Sequence, residues 1–198
     1  MKKINLREIL NLGIVLGIIS MIAAVLLGTT YSITKPAIEK QRKLAIEEAQ
    51  KQIFPDAFSF NPVINPNTNK EFTDLKTGVT TINTIYEAKD ANGTTIGYVL
   101  NAITPGYSGN IIFVIGFTSD KKIKNIKITE QTETPGLGAN ISKRSFLDQF
   151  QNKSFTDLFI VKQDIKAVTS ATISSKALTK GIRNVIDLIL DSNGGFMK

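Results

Sequence analysis

The chain contains no cysteine and no histidine in 198 residues. This excludes disulfides, thiolate-held iron–sulfur clusters and zinc sites of the usual Cys/His kind. It also excludes every Ser-His and Cys-His nucleophile pair. A protein of this composition that handled electrons would need an organic cofactor. Charge is missing as well, from one long stretch. Residues 9–34 hold no Asp, Glu, Lys or Arg, and 12–27 are almost wholly apolar. About 20 such residues cross a bilayer as a helix. Tyr31 stands where an interfacial aromatic belongs. No A-x-A-like site follows the stretch; Gly28-Thr29-Thr30 is a poor substitute, and without cysteine there is no lipid-anchored variant. The stretch therefore reads as a retained anchor rather than a cleaved signal. Lys2, Lys3 and Arg7 precede it against the single acid Glu8. The positive-inside rule then predicts a cytoplasmic N-terminus, with the remainder on the opposite side of the membrane.

The net charge is +7, but the lysines are scattered. No basic helix or aromatic-interleaved patch stands out, which argues against nucleic acid as a partner. A mild attraction to anionic lipid surfaces or acidic partners remains.

Thr34-Lys35-Pro36 is expected to end the span, with Pro36 in the first turn of a new stalk or surface helix. Residues 37–53 read as that helix, supported by the i,i+4 pairs Glu39/Lys43 and Glu47/Lys51. Phe58 to Gly78, with Pro62, Pro66 and the Asn65–Asn69 run, reads as mostly loop. Strands are expected at 81–88, 96–103, 110–117 and 123–129, with a hairpin turn at Asp90-Ala91-Asn92-Gly93. The run at 110–117 reads as central and buried. Residues 142–150 look helical and 158–161 like a short strand. In 175–191, Leu178, Ile182, Val185 and Ile189 form one apolar stripe of a helix that Gly194-Gly195 would end. The fold class is α+β: one N-terminal transmembrane helix, then one domain with an antiparallel sheet and packed helices.

Three patches are richer than their surroundings. In Thr169-Ser170-Ala171-Thr172-Ile173-Ser174-Ser175, five of seven residues carry a hydroxyl, directly before the best helix of the chain. One hydroxyl suffices for an N-cap; five around a small Ala suggest a backbone that lets an anion come close to the positive end of a helix. Glu133-Thr134-Pro135-Gly136-Leu137-Gly138 sets two glycines around one Leu, a backbone able to approach a flat ligand. Gly106-Tyr107-Ser108-Gly109 could place an aromatic beside such a ring. Each patch alone has an ordinary explanation as a cap, a turn or a packed aromatic.

Together, in order, spacing and residue type, the patches resemble those of the G subunit of the Rnf complex, the ion-translocating ferredoxin:NAD+ oxidoreductase. The chain is also similar to the C subunit of the sodium-pumping NADH:quinone reductase. The resemblance covers essentially all of the chain. It includes Thr34-Lys35-Pro36, the hairpin at Tyr86-Glu87-Ala88 and 93–99, and residues 167–177. It implies covalent FMN, joined through its phosphate to the fourth residue of a Ser/Thr-Gly-Ala-Thr motif, here Thr172. The family has Gly where this chain has Ser170. The implied flavin site comprises Ser170, Ala171, Thr172, Ile173, Ser174 and Ser175 around the phosphate. Glu133, Thr134, Pro135, Gly136, Leu137 and Gly138 lie along the ring, with Tyr107 beside it. Helix-dipole stabilisation of a phosphodiester, about 0.3–2 kcal/mol, is too little to retain a cofactor facing open solvent, which makes a covalent bond useful.

The resemblance further implies an electron-carrying subunit of a translocase, not catalytic by itself, with other Rnf-type membrane subunits as partners. These include a second flavin-bearing one, and a separate flavin transferase uses FAD to attach the FMN. The organisation expected is a cytoplasmic 1–8, a span at 9–34, a stalk at 35–55 and an extracytoplasmic FMN-binding domain at 56–198. Two rival readings stay open. One is a C-type quinone-reductase subunit, although those chains are typically longer. The other is a membrane-tethered FMN-binding module without a redox partner complex.

Overall fold

The structure, a computed structural model, describes residues 6–65, 70–71 and 73–191. Lys2, Lys3, the turn signals at Pro66 to Asn69 and the Gly194-Gly195 stop lie outside the described residues. The chain divides into two compact units, Met1–Leu44 and Ala45–Lys198.

The first helix, α1, runs from Leu6 to Ile53 with Pro36 inside it. It is long and apolar enough to cross a membrane. Thr29, Thr30, Ser32 and Thr34 return their hydroxyls to carbonyls three or four residues back, so these polar side chains are satisfied within the helix. The break expected at Thr34-Lys35-Pro36 does not occur. Proline forfeits one backbone donor, yet its fixed φ is helical, and the turns on either side carry the helix through.

The second correction concerns the stalk. The last turns of α1 are part of the domain core: Ala49 and Ile53 are fully buried, and Phe54 follows them in. They pack with Ala88, Val99 and Val114 on one face of the sheet. Two glycines make room for them. A Cβ on Gly116 would lie 2.2 Å from the Ile53 side chain, and one on Gly97 2.4 Å from the Phe54 ring. The apolar positions Ile46, Ala49 and Ile53 share one helical face, but only the sheet opposite shows that this face is covered.

Among the described residues the main sheet has six strands, all pairing antiparallel. Strands β5 (Thr80–Lys89), β6 (Thr95–Pro105), β7 (Asn110–Thr118) and β8 (Ile123–Gln131) form a meander. β1 (Ser59–Pro62) and β4 (Thr73–Thr77) share the outer edge of β5. β2 (Ile64–Asn65) and β3 (Lys70–Glu71) make a separate two-stranded ladder. The segment read as mostly loop thus contributes four short strands. Edge strands this short show little alternation, and Pro62 is tolerated because it ends an edge strand. At the β5–β6 hairpin, Gly93 takes positive φ, and the Asp90 carboxylate accepts the Asn92 and Thr94 N–H groups.

On the other face, Phe113, Ile115, Phe117 and Leu100 pack against α3 (Thr172–Asp191) and against the segment between β8 and α3. The stripe Leu178, Ile182, Val185 and Ile189 is buried as expected. Residues 142–150 are not one helix. They form a short helix α2 (Arg144–Leu147) between 3₁₀ turns at Gly138–Ser142 and Asp148–Phe150.

Residues 158–161 form no strand. Phe159 and Lys162 take positive φ, and the loop folds around Asp164. The Asp164 carboxylate accepts the Phe159 and Ile160 N–H groups at 3.0 and 2.7 Å and pairs with the Lys153 ammonium at 3.0 Å. Burial pushes this carboxyl up, but the bonds from Ile160, Lys153 and Phe159 together outweigh it, and its pKa lies below the ordinary aspartate value. A depressed folded value contributes stability that is present above about pH 4 and lost as the pH falls through the folded value. Asp164→Asn in the full chain in detergent is therefore expected to lower the melting temperature at neutral pH. The gap from the parent should narrow on acidification below about pH 4; a gap constant from neutral to acid pH would refute the linkage.

Candidate functional site

The three sequence patches meet. One pocket of about 450 Å³ is lined by Tyr107 from the β6–β7 turn, by Glu133, Thr134, Leu137 and Gly138 from the loop after β8, and by Ser170 to Ser174 at the start of α3. Pockets of this size hold small molecules and cofactors.

The junction of the patches is Glu133, only 4% exposed. Its Oε1 accepts the N–H groups of Tyr107 and Ser108 at 2.7 and 3.1 Å. Its Oε2 accepts the Ser174 hydroxyl. Its own N–H donates to the Gln131 side chain at 2.6 Å. Two glycines exist for this carboxylate. A Cβ on Gly106 would lie 2.2 Å from Oε1, and one on Gly138 2.6 Å from Oε2. The resemblance implies Glu133 and Ser174 at the cofactor, and both line the pocket. Both carboxylate oxygens and the Ser174 hydroxyl are also engaged with the protein. The signal for this role was the pair of glycines at 106 and 138, which in the sequence suggest backbone freedom rather than room for a side chain.

The loop after β8 makes a compact turn. Thr134 O accepts the N–H groups of Leu137 and Ala139, Gly136 takes positive φ, and the Asn140 amide donates to Gly136 O at 2.7 Å. This turn presents Leu137, which is 45% exposed. Pro135 and Gly136 sit in the turn and do not line the pocket. Tyr107 and Ile173 are also exposed at its rim. Three large apolar side chains thus stand in solvent around one cavity.

The hydroxyl run divides by role. α3 begins at Thr172, three residues earlier than expected, and is preceded by Ala171, which has no side chain able to cap. Ser175 is fully buried and points away from the pocket. Its Oγ accepts the Val168 N–H at 3.0 Å and donates to Ala171 O at 2.9 Å, closing the loop on itself. The hydroxyls of Thr169, Ser170 and Thr172 bond no protein group among the described residues; of these, Ser170 and Thr172 line the pocket. The N–H groups of Thr172, Ile173 and Ser174 are likewise without an acceptor among the described residues, and the first intrahelical bond runs from Ser175 N to Ala171 O. Three unpaired N–H groups at the positive end of a 20-residue helix, beside an unbonded hydroxyl, form an arrangement suited to a phosphate.

Ser170 holds φ +62, a conformation that Gly adopts without cost and other L-residues do not. Ser170→Gly is expected to stabilise the full chain by about 1 kcal/mol, seen as a raised melting temperature. An unchanged or lowered value would mean that the Ser side chain compensates for its strained backbone.

An FMN-binding domain family matches residues 106–187, and a family described as the RnfG N-terminal region matches residues 1–53. The chain is 34% identical over 185 residues to the G subunit of the proton-translocating ferredoxin:NAD(+) oxidoreductase complex of Clostridium ljungdahlii, covering 91% of each chain. It is 32% identical over 197 residues to the G subunit of the Na(+)-translocating ferredoxin:NAD(+) oxidoreductase complex of Acetobacterium woodii, covering 94% of each. Among solved structures, it superposes on NqrC of Shewanella oneidensis with a TM-score of 0.54 at 16% identity, over 73% of this chain and 91% of that one. The C subunit of the Na(+)-translocating NADH-quinone reductase of Parabacteroides distasonis gives 0.51 at 18% identity, over 80% and 93%. At such identities these two similarities concern the fold.

Proposed function

Because the chain belongs to the family of Rnf complex G subunits, we propose that it is the electron-transfer subunit of a membrane-bound, ion-translocating ferredoxin:NAD+ oxidoreductase, with FMN attached to Thr172. The flavin supplies the redox chemistry, and the chain binds, orients and shields it. Thr172 offers the free hydroxyl for the phosphodiester. The N–H groups of Thr172, Ile173 and Ser174 meet the phosphate charge. Tyr107, Leu137 and Ile173 offer apolar surface to the ring, and Gly138 keeps the backbone low beside it. Ser170 and Ala171 form the turn that brings the acceptor to the pocket. The observation that carries this reading is the convergence of all three patches on one cavity, where Thr172 is unbonded and the α3 start uncapped.

In this reading the protein does not catalyse alone. It exchanges electrons with the other membrane subunits, including a second flavin-bearing one, and it matures through a flavin transferase. Residues 1–8 are cytoplasmic, 9–34 span the membrane, 35–44 continue the helix, and the flavin domain from Ala45 lies on the extracytoplasmic side.

Mass spectrometry of the peptide containing Thr172, from native membranes, tests the attachment. The expected product is the peptide plus FMN less one water, localised to Thr172. An unmodified peptide from a colourless protein would favour a tethered module without a redox role.

A further inference from the structure

Glu133 is the one formal charge among the residues lining the flavin pocket. Among the described residues no Lys or Arg lines it, although the chain as a whole carries +7. The carboxylate is nearly out of solvent and ties its own loop to two other segments of the site. Its hydrogen bonds explain how the loops are held, and neutral groups could do the same. An amide at this position could accept the two N–H groups through its oxygen and donate to the Ser174 oxygen. The choice of a carboxylate places a negative charge at the base of a cavity whose other walls are apolar or neutral.

We propose that Glu133, besides positioning the loops, sets the redox balance of the flavin: its charge opposes negative charge on the reduced ring and makes the bound flavin a stronger reductant. The inference rests on the flavin reading of this pocket. Two-electron reduction of the ring with one proton leaves one negative charge, and with two protons leaves none. A fixed anion that is itself nearly out of solvent disfavours the first outcome. At an effective dielectric of about 20, a unit charge within a pocket's width shifts such an equilibrium by on the order of tenfold. Glu133 is thus a positioning residue with an electrostatic effect that its hydrogen bonds alone would not produce.

The test uses the full chain in detergent with its flavin attached, titrated with a chemical reductant and mediators, alongside thermal unfolding of the same samples. Glu133→Gln is expected to raise the ratio of reduced to oxidised flavin at a fixed ambient potential by on the order of tenfold. The effect should shrink as the pH falls and the reduced ring takes its second proton. A purely structural role would move the melting temperature and leave this ratio unchanged. Thr134→Lys, at an exposed lining position that leaves the Glu133 bonds in place, is expected to shift the ratio in the same direction, and an unchanged ratio there overturns the inference even if the Gln variant does not fold, because a unit charge at this cavity would then have no effect on the ring. An unchanged ratio in a coloured, folded variant overturns the inference and leaves the flavin reading standing. A colourless parent overturns both.

Discussion

A Thr172→Ala chain, produced alongside a flavin transferase, is expected to carry no covalent flavin while remaining folded. The two halves of that outcome have separate causes. The Thr172 hydroxyl bonds no protein group among the described residues, so its removal leaves no buried partner unsatisfied. Ala is also the best helix former; the change in stability should stay within about 0.5 kcal/mol. The flavin loss should be complete, because a phosphodiester needs an oxygen at that place. The readout is in-gel flavin fluorescence after denaturation, with melting temperature as the control. Thr172→Ser should retain flavin. Ser170 is the internal competitor, as its hydroxyl also lines the pocket unbonded. Ser170→Gly should keep the flavin that Thr172→Ala loses, and the opposite pattern would move the attachment point to Ser170.

Gly138→Ala is expected to damage both fold and flavin loading. Gly138 is buried, and an added Cβ would lie 2.6 Å from Glu133 Oε2 and 2.9 Å from Ser174 Oγ. Neither neighbour can yield freely, because each is bonded to the other across the junction of the three loops. Overpacking of this kind costs about 1–3 kcal/mol. The displacement would also part Glu133 from the first turn of α3, which carries the acceptor. Lower melting temperature and reduced flavin content in the same sample are the expected result. Gly136→Ala, at an exposed turn position with open space around its Cβ but positive φ, should cost stability through its backbone while sparing the Glu133–Ser174 bond. A Gly138→Ala protein with parental stability and full flavin would show that the Glu133 junction is looser than its distances imply.

Much was legible in the order of residues, because the relevant physics is local. The uncharged stretch at 9–34 needs only length and composition to be read as a span. The meander from β5 to β8 follows from apolar runs separated by turns such as Asp90 to Gly93. The stripe of α3 follows from helical spacing. The three patches were visible as unusual sequences, and their resemblance to one family joined them.

What the sequence alone determined, then, was a long apolar N-terminal helix, the antiparallel sheet, the long final helix and three unusual patches. Absence of cysteine and histidine excluded thiolate- and imidazole-held redox centres. Tertiary structure decided how those parts are used. It turned Ser175 inward and left Thr172 free, although both are hydroxyl residues of one run, because only the fold says which side of the α3 start faces the cavity. It made the end of α1 a core element through two glycines on distant strands. Most of all, it placed Glu133 against backbone from 107–108 and the side chain of Ser174, 41 residues further along. Hydrogen bonds and steric room between residues so far apart depend on where the backbone returns, and no local pattern of residues encodes that.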